Sequence, residues 1–150
     1  MMLNQSNNNK RRTRKESTQN ESNREKKKWE KHRQFIKKLN QVMKKNFSDP
    51  DFSVRLCAGK LNVSETTLYR KVFVLTGKAP CEFIRSYRLW KAARLLENHY
   101  GSITDVAFEV GFNSHAYFTR CFRKKYHRLP SDLPIPENKM KFFRFLNDMY

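Results

Sequence analysis

The fold of this chain is decided by residues 111–127, GFNSHAYFTRCFRKKYH, in which a turn signal leads into a helix. Gly111 can adopt the positive φ that a sharp turn needs, and Ser114 is a good N-cap. Phe118, Phe122 and Tyr126 then recur at helical spacing, whereas every charged side chain in the stretch is basic. The stretch therefore predicts a helix to about Tyr126 that packs through its aromatic side and leaves a positive side free.

The residues before Gly111 predict a shorter helix. SITD, residues 102–105, has the spacing of a capping box, with Asp105 in the place of Glu or Gln. The helix that it starts is predicted to run to Val110. The sequence thus contains a short helix, a tight turn and a longer basic helix in that order, over about residues 102–127.

The same order occurs earlier, over about residues 53–76. Ser53 and Ser64 are candidate N-caps for a short and a longer helix, and Gly77 ends the second. Five positions correspond in the two copies: Ala58, Asn62, Ser64, Leu68 and Arg70 in the first, and Ala107, Gly111, Ser114, Phe118 and Arg120 in the second. A small residue followed four positions later by Gly or Asn, which can adopt a left-handed conformation, suits two helices that cross closely at a sharp turn. The pattern is typical of the helix-turn-helix, whose second helix enters the major groove of DNA.

A long helix at about residues 80–98 connects the two copies. Pro80 suits its first turn, and its buried side is predicted to consist of Phe83, Ile84, Tyr87, Ala92, Leu95 and Leu96. Another amphipathic helix is predicted from Trp29 to about Asn46, and a last short helix from Pro130. No segment alternates with the period of a strand, so the predicted fold class is all-α.

The charge of the chain indicates a polyanionic partner. There are 32 Lys and Arg residues against 14 Asp and Glu residues, a formal charge of +18. Residues 35–128 alone carry eighteen basic and seven acidic side chains, so the excess is not confined to the N-terminal part. Repulsion among so many like charges destabilises the compact state, so such an imbalance is typical of proteins that bind a polyanion. Nucleic acid is the first candidate partner, and an anionic membrane surface is the second.

Several classes of protein are excluded. The three cysteines are far apart, which does not suit a disulfide framework or a zinc site, and they are predicted to be small core residues in a reducing compartment. No apolar run approaches the ~18 residues of a membrane span, and the start lacks a signal-peptide core. The four histidines have no convincing catalytic partners. We therefore expect a cytoplasmic protein that is not an enzyme and holds no metal or cofactor.

The two ends differ from the middle. Residues 1–28 contain almost no apolar side chain after Leu3, which predicts a basic tail or linker that is disordered or at most a frayed helix. The alternative to a solvated tail is an arm that binds phosphate without specificity. Residues 134–150 place Phe142, Phe143, Leu146, Met149 and Tyr150 at helical spacing. They are predicted to form an amphipathic extension that docks on the domain or on a second copy, with a weakly ordered tail as the alternative.

The two units and the helix between them resemble the DNA-binding domain of AraC/XylS-type transcription regulators. Four segments carry the resemblance: FSVRLCAGKLNVSETTLYRKVFVLTGKAP (52–80), FIRSYRLWKAARLL (83–96), ITDVAFEVGFNSHAYFTRCFRKKY (103–126) and LPSDL (129–133). The similarity covers about residues 35–133, within a domain placed at 29–133. It implies two homeodomain-like helix-turn-helix subdomains, joined by the long central helix, that bind adjacent major grooves on one face of DNA. His127 stands where the family has glycine, so we expect a left-handed C-cap with modest strain.

The candidate DNA-binding residues lie opposite the packing side of each longer helix. They are Glu65, Thr66, Tyr69, Arg70 and Phe73 in the first unit, and His115, Ala116, Thr119, Arg120, Arg123 and Lys124 in the second. Arg70 and Arg120 suit guanine, since an arginine can donate two hydrogen bonds to it. Thr66 and Ala116 suit thymine methyl groups, and Glu65 suits cytosine N4.

Other residues are assigned to phosphate or to structure. Arg123, Lys124, Lys125 and Tyr69 are candidates for phosphate. Phe73 could instead close the gap between the units, and His115 could be a bystander. Tyr117 and Tyr126 are predicted to pack with solvated hydroxyl groups. Four further residues are predicted to form the solvated side of the central helix, with at most one or two of them contacting phosphate: Arg85, Arg88, Lys91 and Arg94.

The favoured function is a sequence-specific regulator of transcription, and the resemblance implies an activator that contacts double-stranded DNA and RNA polymerase. One alternative is a nucleic-acid-binding protein held by charge without sequence specificity. Another is the output fragment of a longer sensor-regulator. The oligomeric state, the operator and the inducing signal stay open.

Overall fold

The computed structural model describes residues 4–132, with side chains from residue 20 onward, and in that range it contains six helices and no strand. The helices are α1 (Asn4–Asn46), α2 (Val54–Lys60), α3 (Glu65–Thr76), α4 (Pro80–Glu97), α5 (Ile103–Glu109) and α6 (His115–Tyr126). The predicted all-α class is confirmed. The chain divides into two compact parts, Met1–Lys37 and Lys38–Tyr150, and the second part contains both helix-turn-helix units, α2 to α6.

Helix α1 begins earlier than the sequence predicted. A helix was expected from Trp29, after a tail over residues 1–28 that was expected to be disordered or at most a frayed helix, whereas the structure continues α1 back to Asn4. The physical reason is local, because this stretch contains no glycine or proline and is rich in Lys, Arg, Glu and Gln, which lose little side-chain freedom in a helix. Within the part that spans Lys38–Tyr150, Leu39 and Met43 near the end of α1 are buried.

The first helix-turn-helix consists of α2 and α3, as the sequence predicted. Ser64 caps α3 by accepting a hydrogen bond from the backbone N–H of Thr67 at 3.1 Å. Asn62 has a φ of 53°, so the turn does pass through the left-handed region. Ala58 is 2% exposed, and its small side chain allows α2 to approach α3 closely. The core of this unit is formed by Cys57, Ala58, Leu68 and Val72.

The second helix-turn-helix consists of α5 and α6. Ser102 and Asp105 form the predicted capping box, with both hydrogen bonds present. Gly111 turns the chain with a φ of 84°, and His127 ends α6 in a left-handed conformation with a φ of 58°. An unbroken series of aromatic contacts runs along the inner side, with ring centroids 4.7 to 5.6 Å apart, through Phe112, Phe118, Phe122 and Tyr126. The aromatic residues of the deciding stretch therefore attach α6 to its unit.

Helix α4 lies at the centre and contacts α2, α3, α5 and α6. It is buried around most of its circumference, at Pro80, Phe83, Ile84, Ser86, Tyr87, Leu89, Trp90, Ala92, Ala93 and Leu96. The buried surface of α4 is larger than the single apolar side that the sequence suggested, because one helix-turn-helix unit packs on each of two sides of the helix. Leu95, predicted to be buried, is only partly so.

Three other predictions need correction or lie outside the described residues. Cys57 and Cys121 are buried, but Cys81, in the first turn of α4, is exposed and lines the cleft between the two helix-turn-helix units. Residues 130–132 form a turn instead of the start of a helix, and the side chain of Asp132 accepts a hydrogen bond from the N–H of Leu129 at 3.1 Å. The predicted extension at 134–150 falls outside the described residues. In the part of the chain that is described, no helix combines the length and apolar character needed to cross a membrane.

Candidate nucleic-acid interface

The side chains predicted to bind DNA lie on the solvent side of α3 and α6. In the first unit they are all exposed, namely Glu65, Thr66, Tyr69, Arg70 and Phe73. In the second unit the exposed ones are His115, Ala116, Arg120, Arg123 and Lys124. The opposite sides bury Leu68 and Val72 on α3, and Phe118 and Phe122 on α6. Each longer helix thus separates a packing side from an exposed side.

Thr119 differs from the other candidates. It is half-buried, and its hydroxyl oxygen is buried without a hydrogen-bond partner in the described region. Thr119 lies seven residues before the buried Tyr126, which is almost two helical turns and places both on nearly the same side of α6. Its hydroxyl group therefore does not face the solvent side on which the sequence placed it.

A shallow depression of about 760 Å³ runs along the exposed side of α6. Its lining includes Ala116, Arg120, Arg123 and Lys124, together with Thr119 and His127. The guanidinium carbon of Arg120 lies 5.5 Å from the centre of the Tyr117 ring, a cation–π contact that orients the arginine without consuming its hydrogen-bond donors. This surface is concave and cationic.

The exposed side of α3 has a different chemistry. Tyr69 and Phe73 stack almost in parallel, with centroids 5.9 Å apart and an interplanar angle of 7°. Both rings are about half exposed. Phe73 therefore does not close a gap between the units, and forms with Tyr69 an apolar platform beside the exposed Arg70.

The basic residues of α4 are not simply its solvated side. The Arg88 guanidinium donates hydrogen bonds to the carbonyl oxygens of Phe47 and Asp49, at 2.9 and 2.6 Å, and burial lowers its pKa. The Lys91 ammonium lies 5.0 Å from the centre of the Trp90 ring, and burial also lowers its pKa. Only Arg94, which is exposed and 3.8 Å from Glu97, fits the prediction. The partners of Arg88 are distant in sequence, so periodicity could not reveal them.

Two assignments on α6 are also corrected. Lys125 was a candidate for phosphate, but its ammonium donates a hydrogen bond of 2.8 Å to the carbonyl oxygen of Ser86. Burial and the nearby charge of Lys78 lower the pKa of Lys125 to about 7, against a smaller raising effect of Glu82. The hydroxyl oxygen of Tyr126 is buried rather than solvated, and burial raises its pKa. Both side chains attach α6 to the core, and the contact of Lys125 with Ser86 removes one cation from those available to a ligand.

A cleft of about 660 Å³ separates the two helix-turn-helix units near the starts of α3 and α6. Its polar lining includes Arg55, Glu65, Arg85, Ser114 and Tyr117. The Arg85 guanidinium donates a hydrogen bond of 3.1 Å to the Tyr117 hydroxyl oxygen, which joins α4 to α6 across the cleft wall. Sequence analysis did not single out Arg55, and it named Arg85 only as one of four basic residues on α4, of which at most one or two were expected to contact phosphate. The only sequence signal for Arg55 was a basic side chain in the first turn of α2.

Within the described residues, no group of three or more His, Cys, Asp or Glu side chains could hold a metal ion.

Comparison with protein families gives a match over residues 57–133 to a family described as a helix-turn-helix domain. The chain is 39% identical over 98 residues to histidine kinase P4 of Formosa agariphila, a match that covers 65% of this chain and 7% of that protein. It is 31% identical over 100 residues to the HTH-type transcriptional activator RhaS of Klebsiella pneumoniae, covering 64% of this chain and 35% of that protein. The chain thus spans about a third or less of these curated relatives.

Solved structures give the same architecture. The C-terminal domain of AraT, a response regulator from Geobacillus stearothermophilus, is 26% identical with a TM-score of 0.59, covering 71% of this chain and 84% of that one. The DNA-binding domain of AdpA, solved in complex with a target DNA, is 25% identical with a TM-score of 0.56, covering 72% and 95%. A regulator with an AraC-type DNA-binding domain from Chromobacterium violaceum shares the fold with a TM-score of 0.61 at 21% identity, covering 73% and 91%.

Proposed function

The chain belongs to the AraC/XylS family of helix-turn-helix domains, and on this premise we propose that it is a transcription regulator that binds double-stranded DNA in a sequence-specific manner, with α3 and α6 in two adjacent major grooves. One observation carries the proposal. Two helices that bury their apolar sides on a common central helix each leave an exposed side with an arginine at the corresponding position, Arg70 and Arg120. The solved complex of a similar domain with a target DNA supports the same partner.

Base recognition would be divided between the two units. Arg70 and Arg120 are exposed and would donate paired hydrogen bonds to guanine, each of which contributes ~1–3 kcal/mol of discrimination. Thr66 and Ala116 would contact thymine methyl groups, and the Tyr69–Phe73 platform would add apolar surface in the first groove. Glu65 would accept a hydrogen bond from cytosine N4.

Phosphate contacts would fix the register without reading sequence. Arg123 and Lys124 are exposed and lie beside Arg120 on the cationic depression. Arg55 and Arg85 line the cleft between the units, where the DNA strand between two major grooves would pass. Lys125 is left out of this set because its ammonium is bound to Ser86.

Activation of transcription, with RNA polymerase as a protein partner, belongs to the same proposal. It is supported by the relatives named HTH-type transcriptional activator, and the prediction that the chain is not an enzyme agrees with its helix-turn-helix family. A reporter gene under a promoter with the selected site would show increased expression when the protein is supplied. Decreased expression from a site at any position would contradict activation while leaving DNA binding intact.

A second candidate is that this chain is the DNA-binding output of a longer sensor-regulator. The 39% identity to a small part of a protein named histidine kinase favours it, as does the likeness to the C-terminal domain of a response regulator. Both candidates require the same DNA complex. They differ in whether a second domain, in the same polypeptide, controls occupancy of the site.

The proposal is tested by selection of bound duplexes from a random library with the full chain. We expect enrichment of two short motifs, and a complex that survives an excess of unrelated duplex. Equal retention of all sequences would support the non-specific alternative, in which the charge alone holds the nucleic acid. The selection is repeated with Arg70→Ala and Arg120→Ala. Arg94→Ala is their matched control, since Arg94 is exposed on α4 and its removal lowers the net charge by one, as each of the other two substitutions does.

A further inference from the structure

Arg88 lines the same cleft as Arg55 and Arg85, but its guanidinium is hydrogen-bonded to backbone carbonyls within the protein. It projects from the middle of α4 onto the segment between α1 and α2. Its Nε donates to the carbonyl oxygen of Phe47 at 2.9 Å, and its Nη2 donates to that of Asp49 at 2.6 Å. The planar guanidinium thus holds two backbone carbonyls of the segment that leads into the first helix-turn-helix.

The turn of the second helix-turn-helix packs against the same segment. A Cβ atom built on Gly111 would lie 2.6 Å from the carbonyl oxygen of Phe47, 3.1 Å from that of Ser48 and 3.1 Å from the Nε of Arg88. Gly111 therefore fits only because it has no side chain, in addition to its positive φ. The entry to one unit, the turn of the other and the helix they share meet at one point.

The chemistry of this point is specific to arginine. A buried carbonyl oxygen without a donor is costly, and a partly buried charge must be hydrogen-bonded to persist. Arginine provides five donors in a rigid planar fork, so it can satisfy two carbonyls at once, whereas lysine provides a compact ammonium on a flexible chain. Because Arg88 is used in this way, it is withdrawn from the cationic surface offered to DNA.

We propose that Arg88 is a positioning residue that fixes the separation of α3 and α6, and thereby selects the number of base pairs between the two motifs of the DNA site. This inference rests on the proposed function. Arg88 acts through the segment 47–52 and the Gly111 turn, without touching DNA. Its loss would let the two units shift relative to each other, while each recognition helix keeps its own capping and packing.

The test uses duplexes that carry the two selected motifs at a series of spacings changed one base pair at a time. For the wild-type chain we expect one preferred spacing. For Arg88→Ala we expect the preference for that spacing over its neighbours to fall about tenfold, which corresponds to ~1.4 kcal/mol, with little change in the preference for each motif alone. Arg88→Lys should give an intermediate profile. Arg94→Ala, on the same helix, should leave the profile unchanged.

The outcomes are distinguishable. If the wild-type chain shows no preference for spacing, the proposed binding of α3 and α6 in two adjacent major grooves is contradicted. A folded Arg88→Ala variant with the wild-type spacing profile overturns the role of Arg88, even if its overall affinity is reduced. If Arg88→Ala does not fold, Arg88→Lys decides the matter, and a wild-type profile for that variant is equally contrary to the proposal. Circular dichroism and a thermal melt establish which variants are folded.

Discussion

At the scale of single residues, Arg70 and Arg120 have equivalent positions but different surroundings. Arg120 is held near the Tyr117 ring at 5.5 Å, beside a concave cationic surface. Arg70 follows Tyr69, whose ring stacks on that of Phe73. We infer that Arg120 is the better preorganised of the two, because part of its side-chain freedom is already lost in the free protein.

Replacement of each arginine by alanine should lower affinity for the selected site by a factor that corresponds to ~1–3 kcal/mol, with relaxed specificity at one base pair. The affected base pair should differ between Arg70→Ala and Arg120→Ala, because in the proposed complex the two helices enter different grooves. Titration of both variants against the selected duplex and single-base substitutions of it measures this. A uniform loss on all sequences would show contacts to phosphate instead of to bases.

Lys125 makes the stability of the protein depend on pH. Its pKa is lowered to about 7 in the folded state, so between that pH and its ordinary pKa the unfolded chain binds more protons than the folded one. The free energy of unfolding should therefore rise with pH across this window, by at most ~1.4 kcal/mol per pH unit from this group. Below about pH 7 the full cost of the buried charge is present.

Chemical denaturation over this pH range, compared with Lys125→Met, isolates the effect of Lys125. The difference in the free energy of unfolding between wild type and variant should move in favour of the wild type as pH rises. Lys124→Met, one position away and exposed, should show a constant difference. A constant difference for Lys125→Met as well would contradict the assignment of the buried ammonium.

Single-residue roles were predictable only where they depend on local sequence. The exposed positions of Arg70 and Arg120 follow from helical periodicity, and so do the buried positions of Leu68 and Phe118. The roles of Arg88 and Lys125 were missed because their partners, Phe47 and Ser86, lie about forty residues away in sequence.

At the scale of helices and turns, the caps determined the boundaries. Ser64, Ser102 and Ser114 each accept a backbone hydrogen bond at the start of the helix that the sequence assigned to them. Gly77 and His127 end α3 and α6 in left-handed conformations, as expected. Caps involve residues three or four positions apart, which is why sequence alone located them. The start of α1 carries no such signal, and it was the boundary that differed.

Substitution of Gly111 and of Gly77 distinguishes two costs of adding a side chain, namely backbone strain at positive φ and steric collision. Both have a positive φ, 84° and 67°, but a Cβ at Gly77 would meet nothing within 4 Å, whereas at Gly111 it would collide with the carbonyl oxygen of Phe47. Gly77→Ala should cost only the conformational strain of ~1–2 kcal/mol. Gly111→Ala should cost clearly more, because the junction must also open. Urea denaturation of the two variants measures both, and equal losses would contradict the tight contact at Gly111.

At the scale of the whole molecule, the organisation in two similar units was visible in the sequence as a repeat in spacing. The central position of α4 was predicted too, although not the burial of both its sides. The contact between the Gly111 turn and the segment at 47–48 could not be predicted, since it brings together residues from different units. That contact joins the turn of the second helix-turn-helix to the segment that leads into the first.

The excess of basic side chains is distributed over the molecule. Residues 35–128 carry eighteen basic and seven acidic side chains, but Arg88, Lys91 and Lys125 are engaged in the interior. The remaining cations include Arg70 on α3, three basic residues on the exposed side of α6, and Arg55 and Arg85 in the cleft. Others, such as Lys45 and Lys60, lie on α1 and α2.

Interference by methylation at guanine N7 tests this account most directly, because N7 lies in the major groove. With the full chain on a selected duplex, we predict two clusters of interfering guanines, centred about ten base pairs apart on one face of the DNA, with one cluster weakened by Arg70→Ala and the other by Arg120→Ala. A single cluster, or two clusters on opposite faces of the duplex, would contradict the binding of adjacent major grooves by α3 and α6.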